Sequence, residues 1–342
     1  MRVAVIGAGN WGKNLVRNFA AIDGVELAGV ADLNPAALAR TRRDYPGVPT
    51  GSQDEQFLTD ASIDAVVIAT GAPAHFTLAR RALEAGKHVY CEKPLTLKAT
   101  EAAELARLAE EGGRVLMVGH LLEYHPAVVK MKQMIDDGDV GEPRYIYTQR
   151  INLGVVRSDE NAWWSLAPHD ISVIQFLFGD APASVSACGQ CYLQPGVEDV
   201  VFATLKFADG QMAHVHCSWL DPHKIRKMTL VGSRRMVTFD DMEATEKVRI
   251  YDKGAEVKAG VDSFAEAISL RVGDITIPKL PSVEPLRVEC EHFVECVRDG
   301  KRPRSDGPDG LRVVQVLEAG GESLRRGGTP VDIDPNCGAS GG

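Results

Sequence analysis

The amino-terminal stretch VAVIGAGNWG, residues 3–12, decides the fold of this chain. Its first four residues are apolar, and three of them are β-branched, as in a strand buried on both faces of a parallel sheet. Gly7, Gly9 and Gly12 follow at the spacing G-x-G-x-x-G, and helix-like sequence continues over residues 13–21. In a strand–turn–helix unit, these glycines permit a tight turn, close approach of the backbone to a pyrophosphate, and close helix–strand packing. The stretch therefore predicts a dinucleotide-binding unit with the phosphates at the helix amino terminus.

An acidic residue completes this pattern. Residues 25–31 are a second predicted strand, and Asp32 stands at its end. Asp32 follows Gly12 at about the 20-residue spacing expected for the acid that binds the ribose hydroxyls. A carboxylate there repels a 2′-phosphate and no arginine follows at once, so the pattern favours NAD over NADP. Alternatively, Asp32 or Asn34 caps the helix predicted from Pro35.

The same alternation of strands and helices continues to about residue 120. Further strands are predicted at residues 63–70, 87–91 and 114–119, with helices between them. This order is typical of a doubly wound parallel sheet, which binds its ligands at the carboxyl ends of the strands. The predicted cofactor-binding residues at these ends are Gly7, Gly9, Asn10, Trp11, Gly12, Asp32, Thr70, Gly71, His75, Glu92 and Lys93. His75 opens a predicted helix, where a purely structural role is the alternative.

The tripeptide Glu92-Lys93-Pro94 follows the strand at residues 87–91. A lysine at this edge of the sheet can hydrogen-bond a substrate oxygen, or exchange a proton with it where burial lowers its pKa. Lys93 is therefore a candidate catalytic residue. From these residues alone, a solvated Glu–Lys pair before a loop proline is the alternative.

Residues 121–334 have a different pattern. The hairpin turn signal Ala208-Asp209-Gly210 separates two predicted strands, and alternating or apolar runs predict strands at residues 145–151, 200–207, 212–219 and 227–232. We expect a second α/β domain with a mostly antiparallel open sheet, whose free face forms a homodimer or homotetramer. The predicted domains are thus residues 1–120 and 121–334, followed by a flexible tail at residues 335–342.

His169 and Asp170 precede an apolar helical stripe that Gly179 ends. Placed at the amino-terminal end of that helix, His169 would have its pKa lowered by the helix dipole and would stay neutral near pH 7. It is therefore a second candidate catalytic residue, and a structural histidine is an equal alternative.

Composition restricts the classes of function. The length of 342 residues suggests two domains at roughly 150 residues each. The net charge of -9, without a sizeable basic patch, argues against nucleic-acid binding, and no apolar run approaches the roughly 18 residues of a membrane span. The amino terminus is a predicted strand rather than a signal peptide, and seven scattered cysteines fit free thiols in the cytoplasm. Cys188 and Cys191 have redox-motif spacing but lack a βαβ setting and a second pair, so we expect no metal site.

These motifs together resemble the glucose–fructose oxidoreductase / inositol dehydrogenase (Gfo/Idh/MocA) family over nearly the whole chain. The resemblance rests on the glycine pattern, Glu92-Lys93-Pro94, His169-Asp170, and residues 293–296 leading to Gly300-Lys301. It implies a Rossmann domain plus an oligomer-forming α/β domain, and NAD(P)-dependent oxidation or reduction of a sugar or polyol carbon. It also implies that Lys93 and His169 are the catalytic pair and that the Lys93–Pro94 peptide is cis.

Residues 119–126 and 166–172 look most like the family's nucleotide-sugar 3-dehydrogenase / 3-ketosugar reductase subgroup. The resemblance therefore implies a substrate such as UDP-N-acetylglucosamine. The substrate-contact residues considered are Tyr124, Arg150, Trp164 and Asp170. The candidate ligands for the diphosphate of a nucleotide-sugar are Arg144, Arg150, Arg157 and Arg226. For each of them, the alternative is a solvated charge at the surface.

One position departs from the family pattern. Many relatives have an aspartate where this chain has Ser165, so Lys93, Asp170 or the substrate must compensate for the missing carboxylate. Two alternative functions stay open at this point: an inositol or simple sugar dehydrogenase, and a non-catalytic protein that binds NAD or a sugar as a sensor.

Overall fold

The computed structural model describes residues 1–154, 156–257 and 268–334. The described residues form two compact units. The first unit contains residues 1–124 and 283–315, and the second contains residues 125–282 and 316–334. Residues 283–315 therefore lie in the first unit, whereas the sequence-based division placed them in the second domain. The predicted tail, residues 335–342, lies outside the described residues.

The sheet of the first unit has six parallel strands. The strands are β1 (Arg2–Ile6), β2 (Glu26–Ala31), β3 (Thr50–Gly51), β4 (Ala65–Ile68), β5 (His88–Glu92) and β6 (Leu116–Gly119), in the spatial order β3-β2-β1-β4-β5-β6. The predicted doubly wound parallel sheet is thus confirmed. The strand order reverses between β1 and β4, and ligands of such sheets bind at the carboxyl ends of the strands on either side of that point.

Five helices follow strands of this sheet in sequence. They are α1 (Gly12–Ala20), α2 (Pro35–Asp44), α3 (Glu55–Leu58), α4 (His75–Glu84) and α5 (Ala99–Glu111). Leu15, Val16 and Phe19 form the buried face of α1, as the 3.6-residue period of an amphipathic helix requires. Packing of this face places the amino terminus of α1 beside the glycine loop.

The second unit contains a nine-stranded sheet. Its strands are β7 (Pro143–Ile151), β8 (Ser184–Gln190), β9 (Val200–Lys206), β10 (Met212–Ser218), β11 (Ile225–Gly232), β12 (Met236–Asp240), β13 (Val248–Val257), β14 (Ile268–Thr276) and β15 (Val331–Asp332), in the order β14-β13-β12-β11-β7-β10-β9-β8-β15. Only the β7–β10 pair is parallel among these described strands. The predicted mostly antiparallel sheet is confirmed, and Gly210, with φ +84°, lies in the β9–β10 hairpin.

Helices α6 (Pro126–Asp136) and α7 (Ala162–Phe178) belong to the second unit. Asn161 caps α7 by accepting a hydrogen bond from the backbone N–H of Trp164 at 3.1 Å. The helix therefore begins well before His169 and Asp170, and the prediction that they lie at its amino-terminal end was wrong. The apolar stripe that ends at Gly179 marked only the later part of the helix, and Pro168 lies inside it.

Two further helices follow the strand β14 in sequence, α8 (Pro285–Asp299) and α9 (Gly307–Arg325). Phe293 of α8 packs edge-on against Phe19 and Tyr90, with ring centroids 6.1 and 5.8 Å apart. These aromatic contacts explain why α8 belongs to the first unit. Among the described residues, no helix combines the length and the apolar character needed to cross a membrane.

Candidate active site

The loop between β1 and α1 has the geometry that its three glycines predict. Gly7 has φ +95°, and a Cβ there would lie 2.5 Å from the carbonyl oxygen of Ala69. A side chain on Gly12 would overlap the carbonyl group of Gly7. A Cβ on Gly9, by contrast, would have no heavy atom within 4 Å, so open space lies above this residue. A phosphate can approach the backbone in that space, as the motif requires.

Asp32 ties this loop to the end of β2. One carboxylate oxygen accepts the backbone N–H of Ala8 at 2.6 Å, and the other accepts that of Asn34 at 2.7 Å. Asn34, not Asp32, caps α2 by accepting the N–H of Ala36 at 2.9 Å. Asp32 therefore remains at the end of β2, where a ribose-binding acid is expected.

A cavity of about 780 Å³ adjoins this loop. Its lining includes five predicted cofactor residues from three different loops: Gly7, Gly9, Asp32, Thr70 and Gly71. Leu33, Ser52 and Arg81 also line it. The volume lies within the usual range of ligand sites. The structure thus brings these five predicted cofactor residues together in one cleft.

His75 joins two loops of the first unit. Its ring is 1% exposed, with Nδ1 2.8 Å from the carbonyl oxygen of Pro94 and Nε2 3.2 Å from that of Thr70. Burial lowers the pKa of His75, and a neutral imidazole has only one N–H to donate. The neutral ring therefore donates to one of these two carbonyl oxygens at a time, and its position between them agrees with the structural alternative for this histidine.

Glu92 links the glycine loop to Lys93. The indole N–H of Trp11 donates to one carboxyl oxygen of Glu92 at 2.5 Å, and the backbone N–H of Lys93 donates to the other at 3.3 Å. Burial raises the pKa of Glu92 to about 7, although Trp11 and Lys93 act to lower it. The Lys93–Pro94 peptide is cis. The structure thus brings Trp11, Glu92 and Lys93 together.

His120 was not among the site residues predicted from the sequence. This residue directly follows β6, is 1% exposed, and has no hydrogen-bond partner for either ring nitrogen within the described parts of the chain. Burial, followed by the positive charge of Lys93, lowers its pKa to about 3, so the ring is neutral. Its position at the carboxyl end of a parallel strand was the signal that could have identified it.

Tyr124, a suggested substrate contact, lies inside the first unit. Its side chain is 2% exposed, its hydroxyl lies 3.0 Å from that of Ser305, and the guanidinium of Arg304 lies 4.8 Å from its ring centroid. These internal contacts occupy the side chain.

In the second unit, α7 carries Trp164, His169 and Asp170. Trp164 and His169 are partly exposed, and Asp170 is buried. Because His169 is about two turns from the start of α7, the helix-dipole argument for its pKa no longer applies; that effect fades within the first turn. Lys93 lies in the first unit and His169 in the second, so each unit carries one of the two predicted catalytic groups.

Asp170 and Arg150 form a buried ion pair. The guanidinium of Arg150 donates two hydrogen bonds to the carboxylate, each 2.9 Å long. Bidentate geometry of this kind is the strongest that arginine makes with a carboxylate. Both side chains therefore have a strong internal partner, and neither is proposed as a substrate contact.

The arginines considered as diphosphate ligands differ in their partners. Arg144 is exposed, and Arg157 pairs with Glu160 at 3.0 Å. Arg226 is partly buried and donates to neutral oxygens, namely the carbonyl of Ile151 at 3.0 Å and the side chain of Asn152 at 2.6 Å. Burial, and then the nearby charge of Arg150, lower its pKa. Within the described residues, Arg226 is therefore the member of this set that is partly buried and has no hydrogen-bonded carboxylate, although the charges of Asp170 and Asp241 act to raise its pKa.

The described residues contain no group of three or more His, Cys, Asp or Glu side chains that could hold a metal ion. Cys188, on β8, and Cys191, just beyond it, are both free thiols.

Comparison with known proteins agrees with this geometry. A family model described as "Oxidoreductase family, NAD-binding Rossmann fold" matches residues 1–120, and one described as "GFO/IDH/MocA C-terminal domain" matches residues 128–238. A UDP-N-acetylglucosamine 3-dehydrogenase of Acidithiobacillus ferrooxidans is 30% identical over 92% of this chain and 94% of the relative. A scyllo-inositol 2-dehydrogenase (NAD(+)) of Bacillus subtilis is 28% identical over 98% of this chain and 96% of the relative.

A solved structure of UDP-N-acetylglucosamine 3-dehydrogenase from Acidithiobacillus ferrooxidans has the same fold. It is 28% identical in sequence and superposes with a TM-score of 0.80, covering 96% of this chain and 99% of that one. The similarity therefore extends over both units.

Proposed function

The chain belongs to the Gfo/Idh/MocA oxidoreductase family, and we propose that it is an NAD-dependent dehydrogenase or reductase of a nucleotide-sugar such as UDP-N-acetylglucosamine. The observation that carries the proposal is the grouping, in one unit, of the open glycine loop, Asp32, Glu92 and Lys93. A bound nicotinamide cofactor would accept or deliver the hydride as the sugar carbon changes between hydroxyl and ketone.

The residues of the first unit fit this cofactor. Gly9 leaves space for the phosphates, and the amino terminus of α1 presents its positive dipole end to them. Asp32 would accept hydrogen bonds from the ribose hydroxyls and repel a 2′-phosphate, which is the basis for proposing NAD rather than NADP. Thr70 and Gly71 line the same cleft.

Lys93 and His169 carry the proposed proton chemistry. One of them takes the proton from the sugar hydroxyl as the carbon is oxidised, and the other donates a hydrogen bond to the oxygen that becomes the carbonyl. Ser165 stands where many relatives have an aspartate, so the side chain at that position carries no negative charge.

Arg226 supports the choice of substrate class. It stands opposite Arg150 in the β7–β11 pairing, and Arg150 is bound to Asp170, the residue after His169. The carboxylates of Asp170 and Asp241 already act on this charge, but among the described residues the hydrogen bonds of its guanidinium go to neutral oxygens. A diphosphate would bond to the guanidinium directly, whereas a neutral inositol would bring no charge to it.

The second candidate function is that of an inositol or simple sugar dehydrogenase. It is favoured by the 28% identity to the Bacillus subtilis inositol relative over 98% of this chain. A non-catalytic sensor would keep the cofactor cleft but has no need for both Lys93 and His169.

A substrate panel tests the proposal. Purified protein is mixed with NAD or NADP and with UDP-sugars, dTDP-sugars, free sugars or inositols, while nicotinamide absorbance is followed. We expect reduction of NAD by UDP-N-acetylglucosamine. We also expect Arg226→Gln to raise KM for that substrate about 10- to 100-fold, corresponding to about 1.4–2.8 kcal/mol, with Arg157→Gln as the exposed-arginine control. Activity with inositols alone would overturn the substrate, and failure to bind either cofactor would overturn the dehydrogenase.

The proposal extends to a homodimer or homotetramer and to a cytoplasmic location. Tyr145, Tyr147, Phe202 and Met212 on β7, β9 and β10 are each more than 40% exposed, and a second copy of the sheet would cover them. A Tyr147→Glu variant should then have a lower mass in solution than the wild type. The six described cysteines are all free, as a reducing cytoplasm requires.

A further inference from the structure

Glu289 is a wholly buried carboxyl on α8. Its exposed fraction is 0%, and neither carboxyl oxygen has a hydrogen-bond partner within the described parts of the chain. The hydroxyl of Tyr90, on β5, is also buried and has no such partner there. Because buried polar atoms in native proteins nearly always have a partner, two such groups in the core of one unit call for a physical explanation.

Tyr90 and Glu92 converge on one point of the sheet. They lie two residues apart in β5, so their side chains leave the same face. Glu92 pairs with Gly119 of β6, and a Cβ on Gly119 would lie 2.8 Å from the Tyr90 hydroxyl and 3.1 Å from the Glu92 carboxyl carbon. The hydroxyl and the carboxyl therefore meet over the bare backbone of a glycine.

Glu289 is the third member of this cluster. Burial raises the pKa of Tyr90, and the charges of Glu289 and Glu92 raise it further. Burial likewise raises the pKa of Glu289 well above its ordinary value; the charge of Glu92 adds to the effect, and the neighbouring Tyr90 hydroxyl acts against it. The rings of Phe19 and Phe293 pack against Tyr90 at 6.1 and 5.8 Å, so the surroundings are apolar.

The charges around the cluster do not balance. Lys93 is the cation that lowers the pKa of Glu92. The neighbouring thiols, Cys91 and Cys290, have raised pKa values and are neutral. The other titratable groups that act on Glu92, Tyr90 or Glu289, or are acted on by them, are Cys91, Glu123, Tyr124 and Cys290. Burial therefore favours the protonated form of Glu289, while the pKa of Glu92 is about 7.

We propose that Glu289 is a positioning residue for the hydride-transfer reaction: it stays a neutral acid and, through Tyr90, directs a hydrogen bond at the Glu92 carboxylate beside Lys93. An O–H donor stabilises the ionised form of Glu92. Ionised Glu92 in turn stabilises the ammonium group of Lys93. The inference rests on the proposed function for the role of Lys93, while the hydrogen-bonded acid pair itself does not depend on it.

Trp11 provides a readout that needs no substrate, because its indole N–H donates to Glu92 at 2.5 Å. The tryptophan fluorescence of the full chain, freed of nucleotide, is titrated with pH. The chain has four tryptophans, so the component that disappears in Trp11→Phe is assigned to Glu92. Its midpoint is expected near pH 7, where the pKa of Glu92 lies.

Three variants of the cluster then separate the possibilities. Glu289→Gln keeps a neutral donor, so its midpoint should match the wild type. Glu289→Met and Tyr90→Phe remove the donor or its link, so both should raise the midpoint by about half to one pH unit. Phe293→Leu disturbs the same core without removing a titratable group and should leave the midpoint in place.

Two results would overturn the proposal. Wild-type midpoints in both Glu289→Met and Tyr90→Phe would make Glu289 a merely structural residue, and a lowered midpoint in Glu289→Gln would mean that Glu289 is ionised. If Glu289→Met does not fold, Tyr90→Phe decides alone.

Kinetics then separate this inference from the proposed function. In an active enzyme, the acidic limb of the kcat/KM profile should move upward with the fluorescence midpoint. A protein that shows these midpoints but does not reduce NAD with any of the sugars would overturn the proposed function and keep the acid pair. An active protein whose variants keep the wild-type midpoint would overturn the acid pair and keep the proposed function.

Discussion

The buried carboxylate of Asp170 in the second unit is neutralised by Arg150 through two hydrogen bonds of 2.9 Å, whereas burial raises the pKa values of the carboxyls of Glu92 and Glu289 in the first unit. An ion pair keeps its charge over a wide pH range but costs much when one partner is removed. An acid kept neutral by its proton loses that state as pH rises. We therefore expect the pH dependence of stability to arise in the first unit, and the larger loss of stability on mutation of a buried acid to occur in the second.

The largest expected effect concerns the two catalytic candidates, one in each unit. Lys93→Ala and His169→Ala should each lower kcat about 10²- to 10⁴-fold, because each removes a proton-transfer or hydrogen-bonding group. Cofactor affinity, measured by NAD titration, should change little. Lys98→Ala is the matched control, since Lys98 is exposed and pairs only loosely with Glu101 at 3.4 Å. Near-normal rates in both variants would remove the catalytic assignment from both units.

The second effect sharpens the comparison of buried acids. Asp170→Ala should lower the free energy of unfolding by about 3–5 kcal/mol, because it leaves the Arg150 cation buried without its partner. Glu123→Gln should cost less than about 1 kcal/mol, because burial raises the pKa of Glu123 and glutamine resembles its protonated form. Urea unfolding measures both. Equal losses in the two variants would show that the units do not differ in how they neutralise buried acids.

The third effect is the pH dependence of stability. The pKa of Glu92 is about 7 in the folded chain, above its ordinary 4.5, so folding favours the protonated form. This stabilisation is complete below about pH 4.5 and is lost as pH rises through about 7, a change of about 1–3 kcal/mol. Glu92→Gln should flatten the slope, whereas the exposed-acid control Glu84→Gln should keep it. A slope that is the same in Glu92→Gln would contradict the account.

The smallest effect concerns the cofactor cleft. Asp32→Ser removes the carboxylate that would repel a 2′-phosphate, so the preference for NAD over NADP should fall about tenfold, or about 1.4 kcal/mol. Asp23→Ser, at an exposed position outside the cleft, should keep the wild-type ratio of kcat/KM values. An unchanged ratio in Asp32→Ser would locate cofactor selection elsewhere in the first unit.

The fold was predictable because its signals are local. The apolar run of residues 3–6, the glycine spacing and Asp32 lie within a short segment, and the parallel sheet follows from their repetition. The alternation along β7 and the turn before β10 likewise predicted antiparallel strands. By contrast, the apolar stripe that ends at Gly179 indicated only the later part of α7, which starts at Ala162.

The candidate site was predictable only where a residue ends a strand. Lys93 and Glu92 stand at such an end, and so does His120, which was overlooked. The bond from Trp11 to Glu92 and the approach of Glu289 join distant parts of the chain. No period or spacing in the sequence encodes such contacts. The same holds for Tyr124, whose burial depends on Arg304 and Ser305.

Isotope transfer shows whether a hydride passes from a sugar carbon to NAD. The protein is incubated with NAD and UDP-N-acetylglucosamine deuterated at the carbon that a 3-dehydrogenase oxidises, and the cofactor is analysed by mass spectrometry. We expect reduced cofactor that carries the deuterium, formed by the wild type and by Lys98→Ala but not by Lys93→Ala. Reduced cofactor without deuterium, or equal transfer by Lys93→Ala, would overturn the proposed hydride transfer.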